Sequence, residues 1–491
     1  MAHKPIKVFA TRAKRAWFTL WGNNQLFPTA SESNQRQTQE DSNSDMLALM
    51  SRHKTLMLRN DARFIVSSNS VVSGAVKQKA GKVYGESWRF QSHSKDADFV
   101  KAVEADMKKI DPAIDIRGSQ YSFRRNIKIE SRLLDVDGDF FVLLTETETG
   151  FPRLQYLEAH RIGQLLSSTE DVVEDGKYRG LVIKNGIIYN PNGAEVAYRV
   201  ITEGGDDFED VTARDMIHVT DPEWFSQGRG IPSIASGMLD WYDLAEVRDY
   251  EKIAQKVSSA LTLIEKNETG KSDRAQQIIN GTVGASAAPF QSELMAGGTI
   301  RYLKNSASLE AHESTRPSDG FLKFTDKIEQ GAFYGMKWRR EMLDSSAVGG
   351  AGVRAFQRDI NDSINERVEV LAFFKKRMAL YIIAKRAKQG IYTLPDDWME
   401  CSFTKPREFT VDDGQSRKAD RDDVRAGLAS IPDILSRRGQ DPIEFTRKNA
   451  EYLKASDEIA DEFGIDRIRL GTSLLPGDIQ PESDGDDNDA T

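Results

Sequence analysis

The chain has 491 residues, 39% of them apolar and 29% charged, with a net charge of −9. Its length exceeds what one small core can organise and predicts about two to four substructures. No apolar run approaches the roughly 20 residues that a bilayer-crossing helix needs, so a soluble chain is expected, with no membrane partner. The acid excess argues against a tight sequence-independent DNA binder, whose affinity comes from Lys and Arg displacing phosphate counterions.

The single cysteine, Cys401, cannot close an internal disulfide, which fits a chain that folds in a reducing cytoplasm. The N-terminal stretch carries Lys4, Lys7, Arg12, Lys14 and Arg15 ahead of Trp17, Phe18 and Trp21. It lacks the apolar core and cleavage site of a secretory signal and reads as a solvated or partner-docking arm. The Ser-, Gln- and Asn-rich residues that follow make 1–45 a basic arm and flexible linker, and the acid-rich 471–491 reads as a disordered tail.

Helical apolar spacing marks Met46–Asn60 and Asp96–Ile110, and β-branched and aromatic residues mark Leu133–Thr145, Arg153–Leu157, Gly180–Ile188 and Ala194–Ile201. With turn signals such as Asp137-Gly138, this predicts an α+β domain of antiparallel hairpins. Residues 231–259 read as a long helix opened by Pro232, with an acidic first half (Asp240, Asp243, Glu246, Asp249, Glu251). Short strands at Ala260–Ile264 and Thr299–Leu303 surround a Gly-, Ala- and Ser-rich stretch, and helix resumes at Phe321–Met342. The small residues Ser345 to Gly352 then interrupt a second long helix, Val353–Lys388, which Gly390 and Pro395 end. Residues 412–466 are mostly helical, with Lys418–Gly427, Pro432–Arg438 and Pro442–Phe463.

No enzyme signature stands out. Gly270-Lys271-Ser272 follows a predicted strand, but Glu265 occupies the position where a phosphate-binding loop needs Gly, so a surface turn is the better reading. Asp135, Asp137 and Asp139 with Glu146 have the residue types of a calcium loop, but Gly138 and Phe140 stand where the turn geometry forbids it, and a β-hairpin turn is expected. The six histidines have no metal-ligand or catalytic spacing, and no cofactor is called for.

The order of several short motifs resembles the portal proteins of tailed bacteriophages, lambda-like family. Arg59-Asn60 with Val71-Val72 is similar to the opening of that family, and Asp137-Gly138-Asp139-Phe140-Phe141 to its first hairpin. Leu154-Gln155-Tyr156-Leu157-Glu158, Ala197-Tyr198 and Asp215-Met216-Ile217-His218 resemble later strands. Gln227-Gly228-Arg229-Gly230-Ile231-Pro232 is the most diagnostic match, and Gly439-Gln440-Asp441 resembles a C-terminal one. Where the family has Tyr-Ser-Ser-Ala-Arg, this chain has Gly350-Ala351-Gly352-Val353-Arg354, keeping only the Arg.

The resemblance implies a portal fold of wing (46–230), stem helix (231–259), clip (260–318), second stem helix (319–345), tunnel loop (346–352), long wing and crown helix (353–395) and helical crown (396–470). It implies a ring of about twelve copies at one capsid vertex of the virion, made in the host cytoplasm. Double-stranded DNA would pass through it during packaging and ejection. The partners implied are the terminase large subunit, which would carry the ATPase, a head–tail adaptor, and the major capsid or scaffold protein. The alternatives are another head–tail structural protein and a nucleotide-binding enzyme using Gly270-Lys271-Ser272. Ser346, Val348, Gly349 and Gly350 would form the loop around DNA, and Arg339, Arg340 and Arg354 beside it would touch phosphate or form inter-subunit salt bridges. The acids of 231–259 would either face the lumen and repel phosphate or form a solvated, paired face.

Overall fold

A computed structural model describes residues 46–85, 87–164, 171–202, 207–260, 264–267, 307–310, 317–343, 351–410 and 413–464. The expected arm at 1–45, the expected acidic tail, the strand at Thr299–Leu303 and Gly270-Lys271-Ser272 lie outside these residues. The chain divides into two compact units, one holding 237–334 and the other the remainder.

The larger unit opens with a helical turn, Met46–Leu49, and two consecutive helices, α1 (Arg52–Ser68) and α2 (Ser70–Tyr84). Asn69 separates them because its side chain accepts from the backbone N–H groups of Val71 and Val72, capping α2 as α1 ends. Strand β1 (Phe90–Ser92) and helix α3 (Ala97–Ile110) follow, the latter capped by Asp96. Helix α4 spans Ile127–Val136. This corrects the β assignment of 133–136: Leu134 and Val136 continue the buried face begun by Ile127, so the period there is helical and the strand starts only at Asp139.

Strand β2 (Asp139–Glu146) is the centre of a three-stranded antiparallel sheet, paired with β3 (Pro152–Glu158) on one side and β8 (Met216–Thr220) on the other. Its residues Phe140, Phe141 and Val142 are buried in succession, as a strand covered on both faces requires. A second antiparallel sheet runs β4 (Val182–Lys184), β5 (Ile187–Tyr189), β6 (Glu195–Ile201), β7 (Phe208–Thr212). Asn185-Gly186, both with positive φ, form the tight turn between β4 and β5 that matches strand twist. Phe141, Leu157 and Met216 of the first sheet pack with Ile187, Tyr189 and Tyr198 of the second, so the two sheets share one core.

The smaller unit holds α5 (Met238–Ala260), the two-stranded antiparallel sheet β9 (Ile264–Asn267) and β10 (Ala307–Glu310), and α6 (Asp319–Gly335). The helix expected from Pro232 starts later, after a 3-10 turn at Ala235–Gly237, and the expected strand at Ala260–Ile264 starts at Ile264 because α5 continues through Ala260. Helices α5 and α6 run antiparallel, with Trp241 edge-on to Phe333 and Arg248 reaching Glu329 at 3.2 Å.

Back in the larger unit, the helix expected to reach Met342 breaks after Gly335. Lys79 Nζ takes the Met336 carbonyl at 2.9 Å, Lys337 has φ +51, and Trp338 turns inward to bury its ring. The 38-residue α7 (Ala351–Lys388) buries the stripe Ile360, Ile364, Val368, Leu371, Met378 and Ile382 against β3, β8, α2 and α4. Strand β11 (Cys401–Phe403) pairs with β1, and α8 (Asp413–Arg425), α9 (Ile431–Arg437) and α10 (Pro442–Phe463) finish the described chain.

Candidate functional site

Of the seven residues expected to line a DNA path, Ser346, Val348, Gly349 and Gly350 lie outside the described residues. Arg354 lies in the first turn of α7. Arg339 precedes the 3-10 turn Arg340–Met342 and is ion-paired with Asp359 of α7, so the salt bridge it makes here is within one chain. Arg340 opens that turn, half-buried.

The structure instead concentrates its charge chemistry on the Gln227–Pro232 motif. The Arg229 guanidinium is buried and directs every arm at an acceptor. Its Nε and Nη2 donate to the two Asp139 oxygens at 2.6 and 3.0 Å, and its remaining donors reach the carbonyls of Ile162 and Asn185 at 2.8 and 2.9 Å and of Ala159 at 2.8 Å. The Gly230 N–H adds a bond to Asp139 at 2.8 Å. A planar fork of five donors is the one side chain able to fill this set; Lys could not. Gly230 and Gly138 approach so closely that a Cβ on Gly230 would sit 2.0 Å from the Gly138 carbonyl oxygen. The motif's Arg-Gly pair is therefore a socket that locks the segment leading to α5 onto the start of β2.

His218 joins the socket from β8. Its ring stacks on Phe141 with centroids 4.5 Å apart, while Nε2 meets Asp139 at 3.2 Å and Nδ1 meets Glu195 at 3.3 Å. Burial alone would lower its pKa, but the charge of Glu195 and the bonds to both carboxylates outweigh that and hold it at about 9. Burial would likewise raise the Asp139 pKa, yet Arg229 and His218 drive it far below the carboxylate range. The site is an ion cluster of two cations between two carboxylates.

Two further buried clusters extend this tie. Asp135 receives Lys79 at 3.0 Å and Arg367 at 2.8 Å, and Arg367 also reaches Ser233 at 2.9 Å, joining α2, α4, α7 and the residues after the motif. Lys375 meets Glu130 at 2.6 Å and the Phe123 carbonyl at 2.8 Å, its charge lying 3.9 Å from the Phe123 ring centre. The three aspartates that resemble a calcium loop are thus held by separate cations: Asp135 by Lys79 and Arg367, Asp137 by Arg63 at 2.6 Å, and Asp139 by Arg229. The expected hairpin turn there is a helix-to-strand junction, because Asp137 caps α4 and β2 follows directly. Among the described residues no group of His, Cys, Asp and Glu is placed to hold a metal ion, and no helix is long and apolar enough to cross a membrane. The signal that could have found this site was spacing: buried Asp at alternate positions 135, 137 and 139, with an Arg in a Gly-flanked motif downstream.

The described chain is thus an α+β body in which buried ions join two sheets, a long helix and a Gly-Arg-Gly socket. The chain belongs to the phage portal protein family: the model described as "Phage portal protein, lambda family" matches residues 33–335, which contain the whole socket. Comparison with curated protein sequences gives no match. Among solved structures, the neck of a native gene transfer agent particle computed with C12 symmetry is similar at TM-score 0.44 and 11% identity, covering 79% of this chain and 94% of that one. The neck of an empty particle, computed with C6 symmetry, gives TM-score 0.45 and 12% identity over the same shares. An HK97 family phage portal protein from Corynebacterium diphtheriae gives 0.29 and 11%, covering 62% of this chain and 90% of that one.

Proposed function

We propose that this chain is the ring-forming portal subunit of a tailed phage particle, a structural protein without catalytic activity of its own. About twelve copies would close around a channel at one capsid vertex and pass double-stranded DNA during packaging and ejection. The terminase would dock on one end of the ring and the head–tail adaptor on the other, with the capsid or scaffold protein around it. The observation that carries this reading is the match to the lambda portal family over 33–335, joined to a structural role for its most diagnostic motif. The antiparallel hairpin of α5 and α6 leaves Tyr250, Ile253, Leu322, Phe324 and Tyr334 exposed, which suits helices covered by neighbouring copies. In this reading 46–230 is the wing, 231–259 and 319–345 the stem, 260–318 the clip, 353–395 the long wing and crown helix and 396–470 the crown, with the loop at 346–352 next to DNA.

Negative-stain electron microscopy of the purified chain, with mass photometry beside it, tests the reading. Rings of about twelve subunits with a hole near ~30 Å, wide enough for a duplex of ~20 Å, are expected. A compact dimer with no channel would overturn it.

A further inference from the structure

The loop between β8 and the socket presents two aromatic side chains to solvent: Trp224 is 48% exposed and Phe225 fully so. This is a built loop. The Gln227 N–H donates to the Trp224 carbonyl at 3.0 Å, Gln227 Oε1 accepts from the Glu223 N–H at 3.0 Å, and Gln227 Nε2 donates to the Arg229 carbonyl at 3.1 Å. The Met46 N–H also holds Ser226 Oγ at 2.9 Å. The loop backbone that carries the two rings is therefore tied to the motif, which lowers the backbone entropy lost when they bind. Two carboxylates, Asp221 and Glu223, flank them, and residues 221–226 contain no cation.

A complementary hollow lies elsewhere in the same unit, between α7 and β11. Trp88, Val368, Ala372, Phe373 and Phe403 line it, its volume is about 310 Å³, and Phe373 is 73% exposed at its edge. The hollow is open to solvent on one side and largely apolar inside, which suits an aromatic ring entering from outside. Lys376 and Lys405 stand on its rim, against one acid, Glu369, at 3.4 Å from Lys405. Two lysines against one glutamate leave the rim positive, opposite in sign to the loop.

We propose that the Trp224-Phe225 loop of one copy seats in the α7–β11 hollow of the next, with Asp221 and Glu223 against Lys376 and Lys405. The two patches differ, so the contact is heterologous. A heterologous contact repeats head to tail and closes into a ring when the rotation from copy to copy returns to its start. Buried aromatic anchors ringed by charge are the usual energetic centre of such interfaces. This inference rests on the ring reading above and names the surfaces that make the ring.

The test uses the full chain with Cys401→Ser, so that no native thiol competes. Asp221→Cys and Lys405→Cys, on the two rims, are introduced together and singly; both positions are exposed, so folding should be retained, and the aromatic anchors stay in place. Under mild oxidant the double variant should give a covalent ladder that climbs past dimer toward the whole ring, while each single variant stops at dimer. Rings visible by electron microscopy in a sample that yields no ladder would overturn this interface and leave the portal reading intact. Absence of rings from the wild-type chain would remove the self-assembling ring on which this inference rests, and this inference with it. As a second readout, Glu223→Lys should raise the concentration for half-assembly about tenfold, equivalent to about 1.4 kcal/mol. Adding Lys376→Glu should restore it; failure to restore it would overturn the charge pairing.

Discussion

His218 lies with one face on Phe141 and its two ring nitrogens on Asp139 and Glu195, so it folds as a cation. In an unfolded chain it titrates near 6.5, and here at about 9. A raised value means that the stabilisation is complete below pH ~6.5 and is lost as pH climbs toward ~9, a difference of about 3 kcal/mol. Asp139 and Glu195 are both held low, so their contribution is complete above pH ~4.5 and fades on acidification. Stability is therefore expected to be highest between pH ~4.5 and ~6.5. His218→Gln should flatten the alkaline limb of a plot of melting temperature against pH. Lys375 and Glu130 allow a second experiment at this scale, because both side chains are almost wholly inaccessible. Lys375→Met strands a buried carboxylate and should cost about 3–5 kcal/mol in urea unfolding followed by tryptophan fluorescence. Burial already raises the Glu130 pKa, so the loss should shrink at lower pH. Adding Glu130→Leu should recover most of it, since a buried ion pair replaced by apolar groups is near neutral.

At the scale of elements, the close approach of Gly138 and Gly230 decides how β2 and the socket meet. Gly230→Ala puts a methyl 2.0 Å from a backbone oxygen, so the two segments must part and the Arg229–Asp139 bonds lengthen. A loss of more than about 3 kcal/mol is expected in the same unfolding assay, in the range of the most damaging single substitutions. Gly81→Ala is the opposite case. That glycine is exposed inside α2 with nothing within 4 Å of a new Cβ, and alanine should add about 0.5–1 kcal/mol. The element boundaries repeat the same lesson. Ala97–Ile110, Ala351–Lys388 and Pro442–Phe463 have ends close to those that apolar spacing, caps and following Gly or Pro predict. The end of α6 was not legible, because the break at Met336–Trp338 comes from Lys79, 257 residues away in the chain, taking a carbonyl.

For the whole molecule, a net charge of −9 means that an assembled ring should hold duplex DNA weakly. Glu246 and Asp249, exposed on α5, test whether that acidity keeps DNA mobile. Rings carrying Glu246→Lys and Asp249→Lys should shift duplex DNA in a gel at ~100 mM salt where the wild type does not, and the shift should vanish at higher salt. Unchanged behaviour would place those acids away from the DNA path.

Periodicity, caps and the order of short motifs were enough, by themselves, to specify the α+β class, the two long helical regions, the strands β2, β3 and β6 and membership of the portal family. These are local properties, written in residue spacing. The sequence also singled out Gln227–Pro232, but not what the motif does. Only the tertiary structure decided that Arg229 answers Asp139 from 90 positions away, that three alternating aspartates share no cation between them, and that Arg339 is bound to Asp359. Burial creates those pairings: a charge removed from water must find its partner wherever the fold brings one, and no spacing rule encodes a partner so far along the chain.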